Sequence, residues 1–335
     1  MKNAFTEEAL LQGTKLRGCL DRYFGGEVDG LATIREMAQS GRISRVVLAG
    51  MGSSYYSAFC VTAYLTGKGI PTVALNAFDA ARYQWELVDD KTLVIGISQS
   101  GKSWELADFF KNLAGRATIV GICNKEESLL NQNSDIRLPM FADTEVFFAN
   151  RSFLHSLAIL NIVAHTIAGD DMAALKAELY GFVDWLEDLI RNRDEKIAPL
   201  AAMVKGSDMF DMLADGPSMA AAMQGGIILR EGPAAKSSTI MLADYAHDWI
   251  LSVNPAYTEF LCVPEFTEEV EVRMYNRIME KGGRAIVITE NENVKPNDKT
   301  AVFVHPKCRE SLACLYQIAV INFTMASMLG EGWHR

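Results

Sequence analysis

The sequence predicts an α/β chain of two tandem halves, each a parallel sheet of about five strands flanked by helices in three layers. Three observations carry this expectation. Apolar runs of strand length alternate with helical patterns of about a dozen residues. The order strand, small-residue turn, helix occurs once in each half, a weak internal repeat of pattern more than of identity. The length, 335 residues, suits two domains of about 150 residues each.

The elements follow in order. Thr6–Gln39 carries helical spacing, broken at Gly25 and Gly26. Arg45–Gly50 (RVVLAG) reads as a short buried strand, followed by a Gly/Ser turn and a helical run from Tyr55 to Thr66. Pro71–Leu75, Thr92–Ile97 and Ala117–Cys123 are the next strands, with a small-residue turn and a helix (Trp104–Leu113) after Thr92–Ile97. A long helical stretch, Met172–Val204, joins the halves. Asp208–Leu213 then leads through Ala214-Asp-Gly-Pro-Ser218 into a helix reaching Glu231. Glu259–Val263, Arg284–Thr289 and Ala301–Val304 supply further strands, and Leu312–Leu329 makes a closing helix. The expected division is a helical segment 1–30, a first domain 31–175, a linker helix 176–200 and a second domain 201–335.

Composition narrows the functional classes. With 49% hydrophobic and 22% charged residues the chain reads as soluble and globular, without low-complexity tracts. Its longest apolar stretches, such as Leu93–Ile97 and Ile119–Cys123, are of strand length and short of a membrane span. The start, Met-Lys-Asn-Ala-Phe-Thr-Glu-Glu, lacks the apolar core of a secretory signal, so a cytoplasmic location is expected. A net charge of −10 gives no global positive field to draw in nucleic acid or an anionic membrane. Any phosphate must therefore be held by local groups. The six cysteines sit singly, with no C-x-x-C pair, and read as reduced core thiols; neither a metal site nor a cofactor is expected.

Two loops of the first half carry chemistry. In open parallel sheets ligands bind beyond the carboxyl ends of the strands, where helix N-termini present free N–H groups. Gly50-Met51-Gly52-Ser53-Ser54 and Ser98-Gln99-Ser100-Gly101-Lys102-Ser103 both have that placement. Each packs hydroxyls and glycine where a phosphate would sit, although serine and glycine also favour ordinary N-caps. The second loop supports a rival reading, because Gly96 to Ser103 reads G-I-S-Q-S-G-K-S and fits the P-loop pattern. A nucleotide-hydrolysing site would also need an acidic residue ending another apolar strand to hold magnesium. Asp244 is the one tolerable candidate, some 140 residues away. Lys102 opposes the helix dipole by a few tenths of a kcal/mol, which a bound phosphate would offset.

With both loops in hand, the sequence resembles the SIS (sugar isomerase) family, over about residues 30 to 330. It looks most like the isomerase half of glutamine–fructose-6-phosphate aminotransferase and its double-SIS relatives, including aminosugar-phosphate deaminases and deglycases. Ser98-Gln99-Ser100-Gly101 coincides with the family's S-Q-S-G phosphate loop, and Ser103 falls at a phosphate-binding hydroxyl. Gly52-Ser53-Ser54-Tyr55 resembles the G-T-S-Y turn. Thr144-Glu145-Val146 with Ala149-Asn150 is similar to T-E-x-x-x-A-S, Asn150 replacing the serine that touches the sugar. Leu229-Arg230-Glu231 resembles L-K-E, whose glutamate is the isomerisation base, and His247, sixteen residues on, falls at the ring-opening histidine.

The resemblance implies two tandem SIS domains of flavodoxin-like three-layer form, a sugar-phosphate ligand, and a homodimer in which the histidine reaches across the interface. The chemistry fits the residue types. Moving a carbonyl between C1 and C2 takes a proton from one carbon and returns it to its neighbour, work for a carboxylate shielded from water. Opening a sugar ring shuttles a proton at the ring oxygen, which suits an imidazole. His155, His165 and His305 sit in apolar surroundings and read as packed or surface residues, and His334 is near the end of the chain.

Departures from the family pattern limit the analogy. Lys2 stands where the aminotransferase has its N-terminal cysteine, so no glutaminase activity is expected. His247 is followed by Asp248-Trp249 in place of Gly-Pro, Lys102 replaces an acidic residue, and the catalytic-lysine tail is not matched. The expected activity is isomerisation, deamination or deglycation of an amino- or amine-conjugated hexose 6-phosphate. A non-catalytic phosphosugar sensor and a P-loop NTPase remain the alternatives.

Overall fold

Where four to seven apolar or β-branched residues run between turn signals, strands form. The computed structural model describes residues 4–146, 148–267 and 270–330; His334 lies outside them. The first sheet consists of β1 (Arg45–Gly50), β2 (Thr72–Asn76), β3 (Thr92–Ser98), β4 (Thr118–Cys123) and β5 (Ile136–Pro139). All its pairings are parallel, in the order β2-β1-β3-β4-β5. The second consists of β6 (Met209–Ala214), β7 (Lys236–Met241), β8 (Tyr257–Cys262), β9 (Arg284–Thr289) and β10 (Thr300–Val304). Its strands are parallel too, in the order β7-β6-β8-β9-β10. In chain order both sheets run second, first, third, fourth, fifth, the flavodoxin-like winding. The internal repeat is thus one of topology.

Two compact units hold these sheets, Leu11–Asp184 and Met1–Leu10 with Trp185–Arg335. Residues 1–30 and 176–200 are each divided between the units. The helical run at the start consists of Ala4–Ala9, Gln12–Gly25 and Asp29–Gln39. It breaks at Gly26, a left-handed C-cap at φ 83°. Met172–Val204 is two helices, Met172–Arg191 and Arg193–Val204, separated at Asn192.

In the first unit β3 is buried along its whole length, and β1 and β4 nearly so. One face carries Val47, Ala49 and Val94 against Leu106, Phe109 and Phe110 of the Trp104–Asn112 helix. In the second, Leu213, Leu261, Ala285 and Val287 pack with Leu242, Tyr245, Met274 and Ile278. Five cysteines are buried and Cys308 is half-buried.

Two features depart from the sequence reading. The Arg151–Ala168 helix has no counterpart in that reading; Arg151 to Ile167 are all buried. The Glu310–Gly330 helix is long and apolar enough to cross a membrane, contrary to the expectation that no stretch is. Its residues are buried almost throughout, packed against the Met219–Glu231 and Arg193–Val204 helices, which accounts for its composition.

Candidate functional site

The chain leaves β1 toward β2 on one side and β3 toward β4 on the other. This divergence opens a crevice at the carboxyl ends of those two adjacent strands, the switch point of the sheet. Both serine loops meet there. Gly52 takes φ 52° and ψ −127°, a conformation that L side chains rarely adopt, and so turns the chain from β1 into the Ser53–Ser57 helix. Ser53 and Ser54 are half-buried at that turn. A Cβ on Gly50 would lie 2.7 Å from the Ser54 carbonyl carbon, so the turn closes only on glycine.

The second loop is braced from within and from behind. The Gly101 amide donates to Ser98 Oγ at 3.1 Å, and the Lys102 amide to Ser100 Oγ at 3.3 Å. Behind it, the Asn124 amide donates to the Gln99 carbonyl and the Leu130 amide to the Gly101 carbonyl. Gly101 sits at φ 65°, and a Cβ there would lie 2.3 Å from Ser128 Cβ. Ser98 is buried and serves the turn itself, whereas Gln99 and Ser100 are half-buried. Ser103 is the N-cap of the Trp104–Asn112 helix, and its hydroxyl donates to Glu105 Oε2 at 2.6 Å. To donate to a phosphate it must leave Glu105.

The P-loop reading does not survive this geometry. Gly96, first glycine of the match, lies inside β3, paired with Ala49 and Gly121. It is glycine because the Phe110 ring lies over it, 2.4 Å from where a Cβ would stand. Lys102 precedes the helix instead of lying in its first turn. The strands beside β3 end at Gly50 and Cys123, not at an acid, and Asp244 lies in the Leu242–Tyr245 helix of the other unit.

The segment from Met140 to Asn150 carries the Thr144-Glu145 pair. Phe141 and Asp143 take φ 52° and 56°, each a strained position for a non-glycine residue. Asn124 holds the strain, its Nδ2 donating to the Asp143 carbonyl and its Oδ1 accepting from the Ala142 amide. Glu145 Oε1 accepts from the amides of Asn150 (2.9 Å) and Ser152 (3.1 Å), and Oε2 accepts from the Ser152 hydroxyl. The carboxylate thereby caps the Arg151–Ala168 helix. Burial nevertheless pushes its carboxyl above the ordinary carboxylate range. Asn150 is 1% exposed and accepts from Gln12 Nε2, so the structure turns it inward.

In the second unit, Glu231 ends the Met219–Glu231 helix and is exposed. What burial it has pushes its carboxyl up, against the neighbouring Arg230 charge. Arg230 is itself tied to the Ser237 carbonyl and hydroxyl. Just beyond, Ala234 takes φ 54°, which costs roughly 1–2 kcal/mol for an L residue. His247 is exposed in the turn after the Leu242–Tyr245 helix, its amide donating to the Asp244 carbonyl at 2.9 Å. The structure does not bring these two residues together within one chain. The helix carrying Glu231 returns to the amino end of β7, whereas His247 follows the carboxyl end of that strand.

The remaining described histidines are packed. His155 donates from Nδ1 to the Met140 carbonyl, and burial pushes its pKa down to about 4. His165 is fastened by Asp170 and Tyr64, and His305 by the Pro306 carbonyl.

Known proteins are similar to this chain in sequence and fold. Glutamine–fructose-6-phosphate aminotransferase of Methanocaldococcus jannaschii is 27% identical over 279 residues, 77% of this chain and 24% of that protein. This chain spans between a quarter and a half of the length of the curated relatives it matches. The C-terminal domain of glucosamine-fructose-6-phosphate aminotransferase from Francisella tularensis superposes with a TM-score of 0.85 at 17% identity, over 98% of this chain and 97% of that one. Glucosamine-6-phosphate deaminase from Thermotoga maritima gives 0.71 at 20% identity, over 98% and 93%. These structures share the fold. The SIS domain family model matches residues 42–166, the stretch that holds the first sheet and both serine loops.

Proposed function

We propose that the chain is a phosphosugar isomerase-type enzyme that acts on a hexose 6-phosphate bearing an amino or amine substituent. The observation that carries this reading is the pair of serine and glycine loops at the carboxyl ends of adjacent β1 and β3. Backbone amides and the hydroxyls of Ser53, Ser54, Ser100 and Ser103, with Gln99, hold the phosphate; Gly52 and Ser98 shape the loops, and Asn150 stands behind them. Residues 31–175 and 201–335 are then two SIS-type domains, the second diverged in sequence but wound in the same order. Glu231, whose carboxyl burial pushes above its ordinary value, takes the proton between C1 and C2, and His247 opens the ring. Isomerisation, deamination and deglycation all pass through the enediol or enamine that this proton transfer creates.

The test is a thermal-shift panel of fructose 6-phosphate, glucosamine 6-phosphate, an amino-acid–fructose 6-phosphate conjugate and Mg-ATP, followed by turnover of whichever sugar phosphate binds. Glu231→Gln should keep binding and lose turnover. A shift with Mg-ATP alone would overturn the reading.

One observation favours a second reading, a phosphosugar-binding sensor: a single chain holds Glu231 and His247 at opposite ends of their sheet. Under it, sugar phosphate binds without turnover in wild type and Glu231→Gln alike.

A further inference from the structure

The second unit buries two carboxyls that the proposed chemistry does not use. Asp211 lies within β6 and Glu259 within β8, and the parallel register sets them side by side. Each is 0% exposed, on the sheet face shared with Leu213, Leu261, Ala285 and Val287. Tyr245, also 0% exposed, donates its hydroxyl to Asp211 Oδ2 at 2.9 Å and lies 3.4 Å from Glu259 Oε1. Among the described residues, Asp211 Oδ1 and Glu259 Oε2 have no hydrogen-bond partner. Tyr245 ends the Leu242–Tyr245 helix, two residues before His247.

One hydroxyl proton cannot serve two buried carboxylates. The three groups close into a chain only when one carboxyl keeps its own proton: Glu259 then donates to the Tyr245 oxygen, and Tyr245 to Asp211. The elements packed on this face offer little counter-charge. Arg284 on β9 is fastened to the Met203 and Lys205 carbonyls and to Ser207 Oγ. On the Glu271–Glu280 helix, Arg277 turns to the Ala246 carbonyl and Tyr275 to Thr300 Oγ1. Neither Asp211 nor Glu259 has an ion-pair partner among the described residues. Accordingly burial, with the Asp211 charge next, pushes Glu259 up to about 8, and burial pushes Asp211 up less.

We propose that Tyr245 is a positioning residue for His247, held by an Asp211–Glu259 pair that shares one proton and fastens the His247 segment to the second sheet. This rests on the proposed role of His247, but its first test does not. Hydrogen–deuterium exchange of residues 242–251, corrected for intrinsic base catalysis, is followed from pH 6 to 9.5 on the full chain. In the wild type the segment should stay protected up to pH 8 and exchange at least tenfold faster at 9.5. Glu259→Gln, which cannot ionise, should keep the protection flat across that range. Tyr245→Phe should exchange fast throughout, and its kcat should fall with little change in KM. Flat corrected exchange in the wild type, or full protection in Tyr245→Phe, overturns the proposal. Should Tyr245→Phe fail to fold, the wild-type and Glu259→Gln profiles decide alone. Protection that responds to pH without turnover of any sugar phosphate upholds the latch and removes the enzyme reading; turnover with flat protection does the reverse.

Discussion

Glu231 and His247 lie at opposite ends of β7, one five residues before its first residue, Lys236, the other six after its last, Met241. Five steps of a parallel strand span roughly 17 Å, too far for two side chains to serve one sugar. If both act on the same substrate, they come from two copies of the chain.

Subunit mixing tests this directly. Glu231→Gln and His247→Ala chains should each be inactive, and unfolding and refolding them together should return about a quarter of wild-type turnover if half the dimers are mixed and one of their two sites is intact. A mixture as inactive as its parents would mean that the two residues do not share a site.

Ser103 offers a second test. Its single hydroxyl proton points at Glu105 Oε2, 2.6 Å away, so a phosphate must compete with a carboxylate for the same donor. Glu105→Ala should therefore tighten sugar-phosphate binding, on the order of 1 kcal/mol or about fivefold in Kd. Titration calorimetry reads the change. Unchanged or weaker binding would place the phosphate away from Ser103.

The two glycines of the G-x-x-x-x-G-K-S stretch separate loop from strand. At Gly101 an alanine must hold φ 65° and meet Ser128, so Gly101→Ala should cost roughly 1–3 kcal/mol and disrupt phosphate binding with it. At Gly96 the clash is with the flexible end of Phe110, inside the sheet. Gly96→Ala should lower the unfolding free energy measured in urea by a similar amount while sugar phosphate still binds to the folded fraction. Equal loss of binding in both would indicate that Gly96 belongs to the ligand site.

Much of this is legible in the sequence, for physical reasons. Strands such as Arg45–Gly50 and Arg284–Thr289 are buried on both faces of a parallel sheet, so they read as continuous apolar runs between turns. Of the four edge strands, β2 and β10 are legible, but β5 and β7 are not. β5 alternates buried and exposed over four residues and ends in Pro139, while β7 begins Lys-Ser-Ser-Thr and is mostly half-buried. Edge strands carry such polar residues because one side has no neighbour. The serine loops are readable because hydroxyls and glycines cluster there. The Asp211–Glu259–Tyr245 group is not, although a signal exists: an acid stands inside each apolar run, MFDMLA and YTEFLC. Only the register makes those acids neighbours.

That register also fixes how stability depends on pH. Glu259 has its folded pKa raised from 4.5 to about 8, so the native chain keeps a proton that the unfolded chain gives up. Its contribution is fully present below about pH 4.5 and is lost as the pH rises through 8. Asp211 shifts the same way. Glutamine at 259 cannot ionise, and it leaves Asp211 beside a neutral neighbour. Glu259→Gln should therefore match the wild type within about 1 kcal/mol at pH 5 and exceed it at pH 9, by a few kcal/mol at most. Urea unfolding at the two values measures the difference. A wild type that holds its advantage, or gains, between pH 5 and 9 would mean that both carboxyls are ionised in the fold and that the charge is balanced by another group.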